Sequence, residues 1–300
     1  MSSAQPAALG GLLNVDKPAG WTSHDVVGRV RRLAGLRQVG HAGTLDPMAT
    51  GVLVLCLGRA TRLLEYLTGQ PKIYLAEVTL GVATNTYDAE GDVVSQQPVP
   101  ALSAAQIDRA LDAFRGAIMQ RPPAYSALKR DGVPLYQRAR AGEDVAVEPR
   151  PVMVYELALL QVDGAAVQLH IRCGAGVYVR SIAHDLGQAL GCGGHLSALR
   201  RTAVGRFTVE NAATLERLAE PGALAAAMQP ADAAVAHLPR VDVSESDAVR
   251  LLHGQFIAAS ALEDSDVGRA YDPDDRFLGI VVCDRSRRIW RPGKMLAGPE

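Results

Sequence analysis

The segment Gly40-His-Ala-Gly-Thr-Leu-Asp-Pro-Met-Ala-Thr-Gly51 runs directly into the apolar hexapeptide Val52-Leu-Val-Leu-Cys-Leu57. Three glycines and one proline within twelve residues are costly unless the backbone turns tightly or approaches a ligand. The uninterrupted apolar run predicts a buried strand. The loop before it therefore holds His41 and Asp46 on a rigid scaffold. Their clustering with glycine favours a functional site over the plainer alternative of an Asp-Pro turn beside an ordinary loop histidine.

Upstream of this loop, the sequence predicts a strand, a turn and a helix. Leu12 to Val15 is a short apolar run that ends at the turn sequence Asp16-Lys-Pro-Ala-Gly20. Ser23 is expected to cap the helix that follows, and Gly35 is expected to end it. The apolar stripe of this helix comprises Val26, Val27, Val30 and Leu33, with Arg29, Arg31 and Arg32 largely off it.

Downstream, the pattern is mainly that of antiparallel strands. Ile73 to Leu80 predicts a strand, and the runs Val152 to Val162 and Ala166 to Cys173 flank Asp163-Gly164, a pair typical of a two-residue hairpin. Helices are expected after the capping box Ser103 to Gln106 and over Ser181 to Leu190, and an extended segment is expected over Leu196 to Phe207.

A length of 300 residues predicts about two domains of ordinary size. The expected boundary is His237-Leu-Pro239, which gives a domain of residues 1–237 and a small unit of residues 238–300. Phe277 to Cys283 predicts a strand in the small unit, and Trp290 to Lys294 predicts a terminal basic turn. The small unit is therefore expected to be β-rich.

Composition narrows the class of protein. The chain is 48% hydrophobic and 21% charged, which is typical of a folded protein rather than a disordered one. Its longest apolar run, Val52 to Leu57, is too short to cross a bilayer, and no Lys or Arg precedes the first apolar stretch as in a secretory signal. The four cysteines form no CxxC pair. We therefore expect a cytoplasmic protein with free thiols and no membrane partner.

The net charge of −1 hides an uneven distribution. Residues 1–72 contain eight basic and four acidic side chains, and residues 121–206 are also positive, whereas residues 73–120 and 207–300 are negative. The positive segments can form one basic face, although ordinary solvated surfaces explain the charge pattern alone equally well. Near the C-terminus, a basic strip comprises Arg285, Arg287, Arg288, Arg291 and Lys294.

Several motifs occur in an order and spacing that identify a family resemblance. The loop GHAGTLDPMATG is preceded by LLNVDKPAGWTSHDVV and followed by Lys72-Ile73-Tyr74, TNTYDAEG, PPAYSALK, GVYVR and GCGGHLSALRR. In these stretches, which are spread over most of the chain, the sequence resembles the bacterial tRNA pseudouridine-55 synthases, the TruB family. The resemblance implies an α+β fold. It comprises a mixed, mainly antiparallel sheet with flanking helices, of the pseudouridine synthase type, and a small β-rich PUA-like domain at the C-terminus.

The resemblance also implies roles for individual residues. Asp46 would be the catalytic aspartate, Arg180 its partner, and Tyr74 the aromatic side chain that stacks on the target base. Leu199 would form an apolar wall of the pocket, and His41 would fill the space vacated by the flipped nucleotide. Further substrate-binding candidates are Lys17, Asp88, Tyr178, Lys129, Arg31 and Arg32. The family implies no metal and no cofactor. Its partner would be the T arm of tRNA, bound by a monomer without a guide RNA.

Chemistry supports these roles while leaving alternatives open. Moving uracil from an N1 to a C5 glycosidic bond requires assisted cleavage and then proton removal, and a carboxylate can do both. Asp46 could attack C1′, add to C6 of the base or abstract a ribose proton. A buried carboxylate stays ionised beside a permanent cation such as Arg180. Position alone would make Arg180 a surface arginine and Tyr74 a core residue.

Other classes of function compete with an RNA-modifying isomerase. The main rival is a tRNA-binding or tRNA-folding protein with secondary catalysis, and a guide-dependent synthase or a small-molecule carboxylate hydrolase fits less well. Four residues, Cys173, His184, Cys192 and His195, could be drawn as a zinc set, but their spacing matches no standard finger. The leading hypothesis is isomerisation of uridine 55 in the T loop of tRNA, with the target base flipped into the site.

Overall fold

The computed structural model describes residues 10–125, 129–130, 133–134, 147–259 and 265–298, with only the backbone described for 129–130 and 133–134. A large sheet of ten strands is formed by the first part of the chain. Its strands are β1 Gly11–Lys17, β2 Val39–His41, β3 Thr50–Leu57, β4 Lys72–Leu80, β7 Gly116–Gln120, β10 Arg150–Asp163, β11 Ala166–Cys173, β12 Gly194–Val204, β13 Phe207–Thr208 and β14 Gln229–Pro230. Their order in the sheet is β14-β1-β3-β12-β4-β11-β10-β7, with β2 beside β3 and β13 beside β12. Two small hairpins are formed by β5 Val82–Thr84 with β6 Val93–Gln96, and by β8 Lys129–Arg130 with β9 Val133–Pro134.

Nearly all neighbours in the large sheet are antiparallel, and β12 beside β3 is the parallel exception. The helices are α1 Ser23–Ala34, α2 Leu64–Thr68, α3 Ala104–Leu111, α4 Val179–Ala189, α5 Leu215–Leu218, α6 Ala223–Ala227 and α7 Glu245–Leu252. Helices α3 and α4 pack on the apolar face of the sheet together with Tyr74, Val78 and Leu199. This is the predicted α+β fold with a mainly antiparallel sheet. Within the described residues, no helix combines the length and apolar character that a bilayer crossing needs.

A second sheet of five strands follows in the chain. Its strands are β15 Arg240–Asp242, β16 Ile257–Ala258, β17 Val267–Tyr271, β18 Phe277–Asp284 and β19 Ile289–Met295. Their order in the sheet is β15-β17-β18-β19-β16. The β-rich character of this part is confirmed. Residues 290–294, predicted as a terminal turn, instead belong to β19, because β18 supplies a paired edge along them. The domain boundary at residue 238 stays a prediction.

Local details differ from the sequence-based expectations at three element ends. Helix α1 is capped by Thr22, whose side chain accepts from the Asp25 amide while the Asp25 carboxylate accepts in return. Ser23, the predicted cap, points inward. Helix α4 begins at Val179, two residues before the predicted start. The hairpin turn is Gly164-Ala165, since Asp163 already pairs with Ala166.

Candidate active site

The loop between β2 and β3 is folded tightly around Asp46. The Ala42 amide donates to Val54 O at 2.9 Å, and the Ala49 amide donates to Asp46 O at 3.1 Å. Gly51 has φ of +100°, and a Cβ there would lie 2.2 Å from the carbonyl oxygen of Arg201. Only glycine fits this approach of β3 to β12.

Three side chains fasten this loop from outside. Ser23 Oγ donates to Leu45 O at 3.1 Å and accepts from the Leu45 amide at 2.9 Å. Lys17 Nζ donates to Pro47 O at 3.1 Å. Arg201 donates through Nε to Val52 O at 2.7 Å and through Nη2 to Gly43 O at 3.0 Å. The backbone is therefore held on both sides of Asp46, which fixes its carboxylate before any substrate arrives.

Arg180 binds that carboxylate from the first turn of α4. Its Nη2 donates to Asp46 Oδ1 at 3.1 Å, and its Nε lies 3.0 Å from Asp46 Oδ2. Its Nη1 donates to Asp88 Oδ2 at 3.0 Å and to Thr86 O at 3.1 Å, and Nη2 also donates to Tyr125 O at 3.0 Å. The buried guanidinium thus joins two carboxylates, and Asp88 holds Arg180 in place for Asp46.

The electrostatics of Asp46 follow from this arrangement. Burial raises the pKa of the Asp46 carboxyl above its ordinary value, Arg180 opposes this, and the negative charge of Asp88 adds to it. The side chain of Asp46 remains 32% exposed. A partly exposed carboxylate with a bound guanidinium can act as a nucleophile or a base toward a ligand beside it.

That ligand space is a cleft of about 240 Å³ beside Asp46. Tyr74 on β4 and Leu199 on the neighbouring β12 give it flat and apolar walls. Arg201 lies directly opposite Tyr74 across the two strands. The remaining lining comes from the loop between β2 and β3, from Thr68 and Lys72, and from residues 174–180 at the start of α4. Its shape and surface suit a flat ring held between an aromatic and an aliphatic side chain.

The cleft brings together the three predicted catalytic residues and two of the predicted substrate-binding residues. Asp46, Arg180, Tyr74, Leu199 and Tyr178 all line it. Tyr178 is fixed by its backbone, which exchanges two hydrogen bonds with the Gln120 side chain at 2.8 and 3.0 Å.

Two of the predicted substrate-binding residues are interior instead. Lys17 is 0% exposed, and its ammonium group donates hydrogen bonds to the carbonyl oxygens of Pro18, Trp21 and Pro47. Burial lowers the pKa of Lys17 to about 8. In this fold its ammonium group holds the loop that carries Asp46. Asp88 is likewise buried, and its role is the contact with Arg180.

The remaining candidates lie outside the cleft lining or outside the described residues. His41 packs edge-to-face on His24, with 5.6 Å between ring centroids, and burial lowers the pKa of His41 to about 4, so it is neutral at physiological pH. Arg31 and Arg32 are exposed on the last turn of α1. The side chain of Lys129 lies outside the described residues.

Arg201 and Ser23 hold the loop around Asp46, and neither was predicted as a site residue from the sequence. Both stand where the pattern of a buried strand or helix face expects an apolar residue. A polar side chain at such a position must find partners inside the fold, and that was the available signal.

The proposed zinc set does not come together as ligands. His184 stacks on Tyr87 with 3.8 Å between ring centroids, and His195 Nδ1 donates to Val82 O at 2.9 Å. Cys173 and Cys192 are buried in the apolar cluster beneath the sheet.

Comparison with known proteins identifies relatives over almost the whole chain. The family model for the N-terminal domain of TruB family pseudouridylate synthases matches residues 31–179. Models for the tRNA pseudouridylate synthase B C-terminal domain and for the C-terminal part of pseudouridine synthase II TruB match residues 180–238 and 239–290.

Curated relatives named tRNA pseudouridine synthase B support the same assignment. The protein from Arthrobacter sp. (strain FB24) is 50% identical over 84% of this chain and 84% of its own length, and that from Stutzerimonas stutzeri (strain A1501) is 44% identical over 94% of each. Among solved structures, an H/ACA ribonucleoprotein bound to a substrate RNA is 26% identical with a TM-score of 0.75, covering 98% of this chain and 87% of that one. A Cbf5-Nop10-Gar1 complex is 29% identical with a TM-score of 0.75, over 98% of this chain and 86% of that one.

These family matches and relatives identify the chain as a pseudouridylate synthase. Within that class, the chain belongs to the TruB family.

Proposed function

We propose that this chain isomerises uridine to pseudouridine at position 55 in the T loop of tRNA, with Asp46 as the essential carboxylate. The curated relatives carry the name tRNA pseudouridine synthase B, which supports tRNA as the substrate. The T-loop position comes from the resemblance of the motifs around Asp46, Tyr74 and Arg180 to this family.

The observation that carries the proposal is the Asp46–Arg180 ion pair at the cleft wall. The two groups are 134 residues apart in sequence, yet Arg180 contacts both carboxylate oxygens at 3.0 and 3.1 Å. A purely structural ion pair would not need a fastened loop, a partly exposed carboxylate and an adjacent aromatic cleft. This combination suits a reaction in which the carboxylate must be charged and accurately placed.

The cleft also suits a base that has left its stack. A uridine inside a folded T loop must be extruded before Asp46 can reach it, and extrusion costs stacking energy. Contact with Tyr74 offsets that cost, because base–aromatic stacking contributes about 1–3 kcal/mol. Asp46 then works by one of three routes: attack at C1′, addition to C6 or abstraction of a ribose proton. Each requires the ionised carboxylate.

We further propose that the enzyme is a cytoplasmic monomer that acts without a guide RNA. The second candidate, a tRNA-folding protein with secondary catalysis, makes a different prediction, because it would retain its main activity without the Asp46 carboxylate.

The decisive experiment is Asp46→Asn assayed on an unmodified T-arm stem-loop labelled with tritium at C5 of uridine. The amide keeps the size of the side chain but can be neither nucleophile nor base. We expect tritium release to fall by at least about 10²–10⁴-fold while RNA affinity is largely retained. No other protein or RNA is added, and the control RNA has cytidine at position 55. Turnover near the wild-type rate would rule out Asp46 as the catalytic group, and wild-type inactivity on the stem-loop alone would rule out independent action.

A further inference from the structure

A second concave site lies beside the catalytic loop, residues 42–49 between β2 and β3, which carries Asp46. It is an open notch of about 390 Å³ on α1 and the turn before it. We call it the Trp21 notch, and it is lined by Gly20, Trp21, His24, Asp25, Gly28 and Arg32.

Gly28 is the residue that opens this notch. His24, Gly28 and Arg32 follow one another at four-residue spacing, so they lie on one face of α1. Glycine inside a helix is unfavourable relative to alanine. Its φ is not positive, and a Cβ at Gly28 would meet nothing within 4 Å. Neither backbone conformation nor packing requires glycine here. The absence of a side chain at Gly28 leaves a gap between His24 and Arg32 that a ligand can occupy.

Trp21 supplies an aromatic surface to the same space. Its side chain is 36% exposed, in contrast to Trp290, the other tryptophan, which is 3% exposed. The Trp21 backbone is held by Lys17, whose Nζ donates to Trp21 O at 2.6 Å. A partly exposed indole on a fixed backbone is a suitable platform for a planar ring.

The charge around the notch favours an anionic ligand. Within the part of the chain that the structure describes, Arg29, Arg31 and Arg32 have no carboxylate partner. The one carboxylate in the notch, Asp25, is engaged by the amide and hydroxyl of Thr22 at 2.9 and 2.6 Å. Aromatic and guanidinium groups side by side match a base with its phosphate.

Hydrogen bonds connect the notch to the catalytic loop. The Gly20 amide donates to Pro47 O at 2.9 Å, and the Lys17 ammonium bridges Trp21 O and Pro47 O. Ser23 is bonded to Leu45. These contacts place Trp21 next to the loop that carries Asp46.

We propose that the Trp21 notch binds a second, unpaired nucleobase of the RNA substrate. The base stacks on Trp21, and its phosphate lies at Arg32. This subsite rests on the proposed function, since it takes a nucleotide of the same RNA whose uridine enters the cleft. It adds to affinity and fixes the register of the loop, and it takes no part in the chemical step.

Tryptophan fluorescence tests the contact directly. In a Trp290→Phe background, Trp21 is the sole tryptophan, and Asp46→Asn is included so that the RNA remains uridine. We expect a saturating T-arm stem-loop to quench Trp21 and to shield it from acrylamide. If Trp290→Phe folds poorly, acrylamide quenching of the chain with both tryptophans reports on Trp21, because Trp290 is buried. Unchanged emission and accessibility at saturation overturn the subsite.

Gly28 variants separate ligand binding from folding. Gly28→Ala and Gly28→Gln should unfold at higher urea concentration than the wild type, because both residues favour the helix. Both should bind the stem-loop more weakly, with the larger glutamine losing about tenfold in affinity. A variant that is both more stable and wild-type in affinity refutes the proposal, since a structural role for Gly28 predicts no loss of binding from a stabilising change.

Abasic substitution identifies the nucleotide. Trp21→Ala should weaken binding about tenfold, and Trp21→Phe should restore most of it. At one unpaired T-loop position other than the target, RNA with an abasic residue should bind the wild type and Trp21→Ala with equal affinity. If the losses of affinity from the abasic residue and from Trp21→Ala are additive at every position, no base stacks on Trp21. Wild-type turnover on the intact stem-loop is measured in parallel. If the RNA is turned over but does not contact Trp21, the subsite is refuted and the proposed function is not. If there is no turnover, the proposed function is refuted, and the affinities of the Trp21 variants for intact and abasic RNA still test the subsite.

Discussion

At the scale of single residues, the site depends on how accurately one guanidinium meets one carboxylate. Arg180 approaches Asp46 with two nitrogens and Asp88 with a third. An ammonium group cannot reproduce this planar geometry.

Arg180→Lys should therefore lower the single-turnover rate by about a hundredfold at saturating RNA, since misplacement of a reacting group by about 1 Å has that effect. The matched control is Arg109→Lys on the exposed face of α3, which should leave the rate unchanged. A wild-type rate for Arg180→Lys would show that Arg180 does not organise the aspartate.

The charge of Asp88 gives a pH-dependent prediction. Burial and Asp88 both raise the pKa of Asp46, and the reaction needs the ionised form, so the rate should fall on the acid side with a midpoint above the ordinary 3.8. Asp88→Asn removes a negative neighbour, which favours ionisation of Asp46 and should move this midpoint to lower pH. The midpoint is read from single-turnover rates, separately from the maximal rate, which falls if Arg180 is less well held. Asp108→Asn, a distant exposed carboxylate, is the control. An unmoved midpoint in Asp88→Asn would contradict the electrostatic coupling.

At the scale of elements, α4 matters because it carries Arg180 at its first turn. The helix lies close against the start of β12, where a Cβ on Gly187 would come within 2.2 Å of the Gly193 carbonyl carbon and the Gly194 amide nitrogen. Both are backbone atoms, so neither can move aside easily.

Gly187→Ala should accordingly lower the free energy of unfolding by about 1–3 kcal/mol, as overpacking does, and should also slow turnover by displacing Arg180. Urea denaturation and single-turnover kinetics measure the two effects. Gly28→Ala is the matched comparison, because the same substitution in α1 meets open space and should be stabilising. Equal unfolding free energies for Gly187→Ala and wild type would mean that the helix-to-strand contact is not tight.

At the scale of the whole molecule, the two sheets share one apolar cluster. Tyr271, Phe277 and Ile280 of the second sheet pack with Val52 and Val54 of the first. Lys294 Nζ also lies 2.6 Å from Glu65 Oε1. Removing the second sheet would expose this cluster, so charge substitutions test its contribution to RNA binding more cleanly than truncation does.

The candidate basic strip near the C-terminus is partly neutralised. Arg285 pairs with Asp266, Arg291 lies 3.8 Å from Asp284, and Lys294 pairs with Glu65. The arginines of α1, by comparison, have no carboxylate partner among the described residues. The face around α1 is therefore the better candidate for phosphate contacts.

Neutralising Arg31 and Arg32 to glutamine should flatten the dependence of T-arm affinity on salt. Two lost phosphate contacts reduce the slope of log K against log salt by about 1.5. The control, Arg287→Gln with Arg288→Gln on the second sheet, should leave the slope unchanged for the T arm and reduce it only for full-length tRNA. Equal slope changes for the two variant pairs on both RNAs would refute this division.

The helix α1, the strands β3, β4, β10 and β11, and the loop with Asp46 were predictable from the sequence. These features follow from local periodicity, turn residues and motif order, which the chain carries within short windows. The interior roles of Lys17, Asp88 and Arg201 were decided by the tertiary structure. A charged residue in sequence predicts an exposed group, and whether it turns inward depends on carbonyls and carboxylates supplied from up to 158 residues away. The same reason explains why the Trp21 notch was not predicted, since its link to Asp46 exists only where α1 and the loop meet.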